Sequence, residues 1–308
     1  MSYDSNLFYI MDKTMGNIYE FNSEELKSNI KLILDMINRS QTYSYVFLNE
    51  VDSSKYGEDV FIPIYSSSFK LPKLSAKSEI ENNNSENIAA NFFDIEVSSL
   101  RSIVEPSGTV IYTDGAEKGM KIDKNGLIEY VCYSNSIKPQ KSVLSIDDLV
   151  NIGTDFIKTH LGFPGDAYIS SIENIKDESC VIKYNYRYEG LPVINDNFEL
   201  SNPIEIEIKD GKVKRFKRLI RNINKTDEMK DIKNPLDIID ILYKRLYDKN
   251  IDTDEILIKD TYLSYLEYGY GSDIYMLPVW VVHVITGQEN EGKYIMNAES
   301  GVILSEPY

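Results

Sequence analysis

The 308-residue chain is 42% hydrophobic and 11% aromatic, enough to build real cores. Its length exceeds the roughly 100 to 200 residues of a common single domain, so two domains or one elongated body are expected. The 33 basic against 49 acidic residues leave a formal net charge of -16, which repels phosphate backbones and anionic headgroups and argues against nucleic-acid binding.

Taken in chain order, Leu7 to Met11 is a short apolar run that ends near Gly16. Ser23 then caps a predicted amphipathic helix over 23–38, with Leu26, Ile30, Ile33, Leu34 and Ile37 at three- and four-residue intervals. Tyr43 to Leu48 reads as a strand, and Val60 to Tyr65, interrupted by Pro63, as an edge strand. The composition then shifts to Ser, Asn, Lys and Glu, and a mobile loop is expected at about 66–91. Strands resume at Phe92 to Val97 and Thr109 to Tyr112. Gly119 to Tyr133 reads as a hairpin turning at Asp123 to Gly126.

The second half repeats an order of helix and strands. Ser145 with Asp148 three positions on is a short-armed capping box, and Leu149, Ile152, Phe156 and Ile157 supply an apolar stripe that should stop near Gly162. Strands follow at Tyr168 to Ile175, Cys180 to Tyr188, Ile204 to Ile208 and Val213 to Ile220, the last pair turning at Asp210-Gly211. Asn234-Pro235 opens a second helix with Ile238, Ile239, Ile241, Leu242 and Leu246 as its stripe. Strands return at Glu255 to Lys259, Tyr262 to Tyr268, Val279 to Ile285, Lys293 to Asn297 and Val302 to Leu304. In the strand around Trp280 both faces are apolar, so each needs a cover, which upstream helices would provide.

This order predicts an α+β protein of helix-on-antiparallel-sheet modules, duplicated in the C-terminal half. Residues 1–141 would form a divergent N-terminal α+β domain and 142–308 a C-terminal double module. Cys132 and Cys180 are expected as free thiols, because no dense cysteine framework is present. No run of about 18 apolar residues is present, so any membrane attachment would come through an N-terminal anchor absent from this chain.

No nucleotide-binding glycine loop or acyl-transfer serine elbow occurs. His160 and His283 stand in no zinc-binding spacing. His160 lies near a helix C-terminus, where the dipole would favour its charged form, and His283 should fill a half-buried sheet position. Catalytic residues, cofactor and metal are therefore all predicted to be none. Glu205 and Glu207 share a strand face, which keeps a hydrolase with paired carboxylates as an alternative. Two stretches could bind a partner. The basic run holding Lys214, Arg215, Lys217 and Arg218 is either a solvated sheet face or a docking patch for an acidic partner. The tyrosines Tyr262, Tyr265, Tyr268, Tyr270 and Tyr275 either pack in a core or line a groove that grips a glycan or peptide.

Three stretches resemble the YycI/YycH-type regulatory proteins and, more loosely, PepSY-type modules. They are Tyr184 to Val193 before a strand pair turning at Asp210-Gly211, Leu277-Pro278-Val279-Trp280 followed by Tyr294 to Ile303, and the hairpin Met120 to Tyr130. The resemblance spans roughly Gly119 to Leu304. It implies a non-enzymatic, extracytoplasmic regulator, anchored by one N-terminal transmembrane helix in the full-length protein. Its partner would be the ectodomain of a cell-wall sensor histidine kinase in Gram-positive bacteria, or a related regulator. A propeptide-like module that inhibits a peptidase is the second expectation.

Overall fold

The computed structural model describes residues 7–12, 17–22, 44–47, 55–56, 60–64, 69–77, 80, 84–134, 144–176, 178–195, 202–249, 256–270, 273–286 and 290–307. The chain divides into two compact units, Met1–Val46 with Pro63–Tyr65, and Phe47–Ile62 with Ser66–Tyr308. In the first, β1 (Leu7–Asp12) and β2 (Asn17–Asn22) form an antiparallel pair from Leu7↔Asn22 to Asp12↔Asn17. β3 (Ser44–Phe47) and β4 (Phe61–Ile64), which belong wholly to neither unit, make a separate two-stranded sheet. The helix expected over 23–38 lies outside the described residues.

The second unit is dominated by one fifteen-stranded sheet. Its elements in chain order begin with β5 (Phe69–Lys77), α1 (Ser85–Phe93), β6 (Arg101–Val104), β7 (Val110–Thr113), β8 (Lys118–Ile122), β9 (Leu127–Cys132) and α2 (Ile146–His160). They continue with β10 (Asp166–Lys176), β11 (Ser179–Tyr188), β12 (Leu191–Asn195), β13 (Ile204–Lys209), β14 (Lys212–Leu219) and β15 (Asn222–Ile232). After α3 (Pro235–Asp248) come β16 (Leu257–Tyr270), β17 (Asp273–Thr286), β18 (Asn290–Asn297) and β19 (Ile303–Ser305). The hydrogen-bonded order is β15-β5-β17-β16-β12-β11-β13-β14-β9-β8-β7-β6, with β10 on β11 and β18 joining β17 to β19.

The expected α+β arrangement of duplicated helix-on-sheet modules is thereby corrected. The dominant body is a large mixed sheet, with three α-helices among the described residues. Its continuity rests on β12, which is antiparallel to β11 and parallel to β16 through Val193↔Tyr265, Ile194↔Leu266 and Asn195↔Glu267. The mobile loop expected at about 66–91 is corrected too. That stretch contains β5, which pairs with both β15 and β17, and most of α1. Phe92 and Phe93, read as the start of a strand, close α1, which stops where Asp94 turns left-handed at φ 57°. A boundary near residue 141 falls among undescribed residues, and strands from both sides of it pair in the sheet, β9 with β14 and β5 with β17.

Local chemistry explains the helices. In α2 the Ser145 hydroxyl accepts from the Asp148 N–H at 3.2 Å, and the Asp148 carboxylate accepts from the Ser145 N–H at 2.9 Å, which satisfies donors that the first turn leaves free. Leu149, Gly153 and Ile157 form its buried face. Gly153 allows close approach, because a Cβ there would lie 3.3 Å from the Ile182 Cδ1 atom. In α3 the Asn234 side chain accepts from the Leu236 N–H at 3.0 Å with Pro235 in the first turn, and Ile238, Ile239, Leu242 and Leu246 are buried.

Core residues gather in both halves of the sheet. Phe92 and Phe93 of α1 and Leu149 and Ile157 of α2 pack with Tyr112, Met120, Tyr130, Ile182, Ile206 and Phe216 from the β7-to-β11 half of the sheet. In the other half, the Trp280 indole is fully buried and donates to the Lys233 carbonyl at 3.1 Å, just ahead of α3. Val279 and Val281 point the other way and pack with Leu266, beside Ile194, Tyr262 and Ile295.

Candidate protein-contact site

The pleat of β14 divides the basic run between two environments. Arg215 and Lys217 face outward, where register places Lys121 opposite Glu129, Glu129 opposite Lys217, Lys217 opposite Glu205, and Glu205 opposite Lys183. Charge thus alternates in sign across five adjacent strands. Lys217 approaches Glu129 at 3.8 Å, Arg215 approaches Glu207 at 3.9 Å, and Lys183 meets Glu173 at 2.8 Å. Such exposed pairs are each weak, but together they neutralise the face internally. Hydrogen bonds from Lys183 and Ser171 hold the Glu173 carboxyl below the usual carboxylate range.

Arg218 turns to the other side with Phe216, whereas Lys214 is the extra residue where the pairing with β13 shifts register between Glu207 and Ile208. Lys214 donates to the Ser134 carbonyl. Arg218 is buried, and its Nη1 donates to the Gly162 carbonyl just beyond α2. Burial lowers its guanidinium to about 10, and its Nε finds no partner among the described residues. Arg218 is therefore an interior cation, while Arg215 is the most open of the four.

The same alternation splits the tyrosines. Tyr265 is buried in the core with Leu74, Met276 and Val193, and its hydroxyl donates to the Pro72 carbonyl at 3.1 Å. Burial raises that phenol well above its usual value. Tyr262 and Tyr268 belong to the opposite face. Tyr262 is half-buried, and burial pushes its phenol up to about 12. Tyr268 is 64% exposed and stands directly across from Tyr275 of β17, over whose ring the Lys73 ammonium sits at 4.3 Å. One row inward, Leu266 is opposite Leu277 and beside Ile194. Tyr270 ends β16, and its side chain lies outside the described residues. This face therefore carries an aromatic and aliphatic row in which Tyr268 is exposed, Tyr262, Tyr275 and Leu277 are half-buried, and Leu266 is buried beneath them. The sequence analysis does not place Leu266, Leu277 or Ile194 at a contact, although period-two spacing from Tyr268 reaches Leu266.

The two histidines, two cysteines and the Glu205–Glu207 pair all lie within packed or ion-paired surroundings. The His160 ring stacks between Phe92 and Phe156, at centroid distances of 4.4 and 4.1 Å, with Nδ1 2.7 Å from the Phe156 carbonyl. Burial lowers its pKa, aided by Lys118, so the neutral ring wins over the helix-dipole effect expected for it. His283 is half-buried on β17 and also lowered, by burial first and then by Lys293. Cys180 is buried and Cys132 half-buried, both as free thiols. Glu205 and Glu207 belong to the ion-pair rows of the outer sheet face. Among the described residues no three His, Cys, Asp or Glu side chains are grouped to hold a metal, and no described helix is long and apolar enough to cross a membrane.

A family model described as YycH protein, C-terminal domain, matches residues 58–294. Among solved structures, the crystal structure of an uncharacterized protein from Eubacterium rectale ATCC 33656 is similar. It is 13% identical, with a TM-score of 0.52, over 81% of this chain and 91% of that chain, a likeness that concerns the fold alone. No curated protein matches.

Proposed function

Because the chain belongs to the YycH family, whose C-terminal-domain model spans most of it, we propose that it regulates a sensor histidine kinase by direct contact with the kinase ectodomain. The family is one of regulatory accessory proteins of a kinase system rather than of enzymes. On this reading the protein works outside the cytoplasmic membrane, on a cell-wall sensor kinase or on a related regulator bound to it, and is held there by an N-terminal anchor. The observation that carries the contact surface is the exposed Tyr268 ring opposite Tyr275. Tyrosine offers rigid area with a polar tip, and the apolar row of Leu266 and Leu277 lies directly behind it. Arg215 and Lys217 on the outer sheet face are a second, weaker contact, because their acidic neighbours already engage them.

Titration of the purified kinase ectodomain against this protein tests the reading. Wild type should bind, and Tyr268→Ala should weaken binding about tenfold or more, as loss of an aromatic anchor does. Absence of a complex at about 500 µM of each protein, a concentration that would reveal even a weak transient contact, would overturn it.

A further inference from the structure

The main path of strands ends at β6 on one side and at β15 on the other, and the two ends differ. β15 carries Lys225, Asp227, Glu228, Lys230 and Asp231, a dense charge pattern of the kind that discourages edge-to-edge pairing. β6 instead reads Arg101-Ser102-Ile103-Val104 and is followed by Glu105. All four of its residues are exposed, Ile103 at 69% and Val104 at 68%.

Backbone geometry fixes what this edge offers. The Glu105 N–H donates to the Thr109 carbonyl, and β6 runs antiparallel to β7 with Ile103↔Ile111 and Arg101↔Thr113. Residues 101, 103 and 105 therefore direct their main-chain groups toward β7, and Ser102 and Val104 direct theirs off the sheet. A strand added antiparallel must bond to Ser102 and Val104. If that strand is β6 of a second molecule, the two-fold axis falls at Ile103. Ser102 then faces the second copy's Val104 in reciprocal backbone bonds, the two Ile103 side chains touch, and Arg101 stands across from the second copy's Glu105. The segment is complementary to itself in hydrogen bonding, apolar contact and charge.

Neither charge is strongly engaged in the single chain. Glu105 reaches Lys121 only at 4.0 Å, and no ion pair among the described residues holds Arg101, whose guanidinium lies beside Gly115. Arg101, Ile103 and Glu105 project on the face that carries the alternating row from Lys121 to Lys183, so the second copy would continue that face. We propose that the chain self-associates as a two-fold dimer by antiparallel pairing of β6 with β6 of a second copy. The contact is small, so the dimer is weak and in fast exchange, with dissociation in the range of about 10 to 500 µM. A second copy is favoured over a foreign strand because the Arg101-to-Glu105 charge order matches its own reverse. This inference is independent of the Tyr268 contact, which lies on β16 and β17 in the other half of the sheet.

Sedimentation velocity of the intact chain across about 5 µM to 1 mM, at low salt where surface pairs are strongest, tests it. Wild type should shift from monomer to dimer. Arg101→Glu and Glu105→Arg should each raise the dissociation constant about tenfold or more, since each sets like charges opposite at both symmetry-related positions, and the double reversal should return it to within about threefold of wild type. Ile103→Lys should leave a monomer. Thermal melts report folding of each variant, and recovery in the double reversal separates a lost contact from a damaged fold. A monomer at every concentration would overturn the proposal, as would a dimer indifferent to both reversals. A wild type that stays monomeric while a foreign strand protects the Ser102 and Val104 amides from exchange would overturn it too.

Discussion

The Arg221 guanidinium grips the Glu267 carboxylate with two nitrogens, Nη2 to Oε1 at 2.8 Å and Nε to both oxygens at 3.1 and 3.2 Å, with only 5% and 9% of the side chains exposed. Arg221 leaves the end of β14 and also donates to the Asn125 carbonyl at the β8–β9 turn, while Glu267 belongs to β16. One pair thus clamps the two halves of the sheet on either side of β12. Removing one partner leaves a buried charge without its counterion. Glu267→Gln is expected to destabilise the protein by about 3–5 kcal/mol, whereas the double replacement Arg221→Met with Glu267→Leu should cost less than the sum of its single changes. Urea unfolding of wild type, Glu267→Gln, Arg221→Met, Glu267→Leu and the double variant checks both outcomes.

Stability should depend on pH through His160. Its folded-state pKa lies below the ordinary 6.5, with burial between Phe92 and Phe156 as the main cause. The unfolded chain therefore binds the proton more readily. The His160 contribution is present above pH 6.5 and is lost as pH falls from there through the folded value. His160→Phe keeps a stacked ring and removes the titration. Its melting temperature should fall less steeply than that of wild type below pH 6.5, and parallel curves would remove His160 from the account.

Tyr265 and Tyr268 occupy one strand three residues apart, and their substitutions should separate folding from recognition. Tyr265→Ala opens the core beside Leu74 and Met276 and strands the Pro72 carbonyl, at a cost of about 3–5 kcal/mol. Tyr268→Ala should change stability by no more than about 0.5 kcal/mol while weakening kinase binding. A thermal melt beside a binding titration distinguishes them.

Gly301 turns the chain from β18 into β19 at φ +80°, and a Cβ built there would lie 2.5 Å from the Ile241 Cδ1 atom of α3. Backbone strain and crowding act together, so Gly301→Ala should destabilise by about 1–3 kcal/mol. Adding Ile241→Val removes the crowding atom. The double variant should recover part of the loss, which a denaturation midpoint would show.

What could be read from the residues was local. The capping box at Ser145, the Asn234-Pro235 start of α3 and the β13–β14 turn, where Asp210 and Gly211 take φ of 52° and 67°, each rest on chemistry within a few positions. β5 was missed because Lys, Ser and Pro dominate its composition. Yet Pro72, Leu74 and Ala76 are buried at every second position, an alternation that was available. The β16 stretch was divided near Lys259, where the pairing with β17 shifts register between Ile258 and Asp260. The parallel pairing of β12 with β16 has no local signature, and with it went the shape of the sheet. The candidate contact strip was half legible. Alternation within Tyr262 to Tyr268 already sets Tyr265 apart from Tyr262 and Tyr268, but it does not say which face is left open to solvent.

β12 also sets a timing problem during synthesis. Its last residue, Asn195, leaves the ribosome about sixty residues before Leu257 opens β16, several seconds at translation rates of roughly 5–20 residues per second. Through that interval the nascent chain carries Val193 to Asn195 without their native neighbour. A chaperone that shields this segment until translation reaches Tyr270 would raise the yield of native protein.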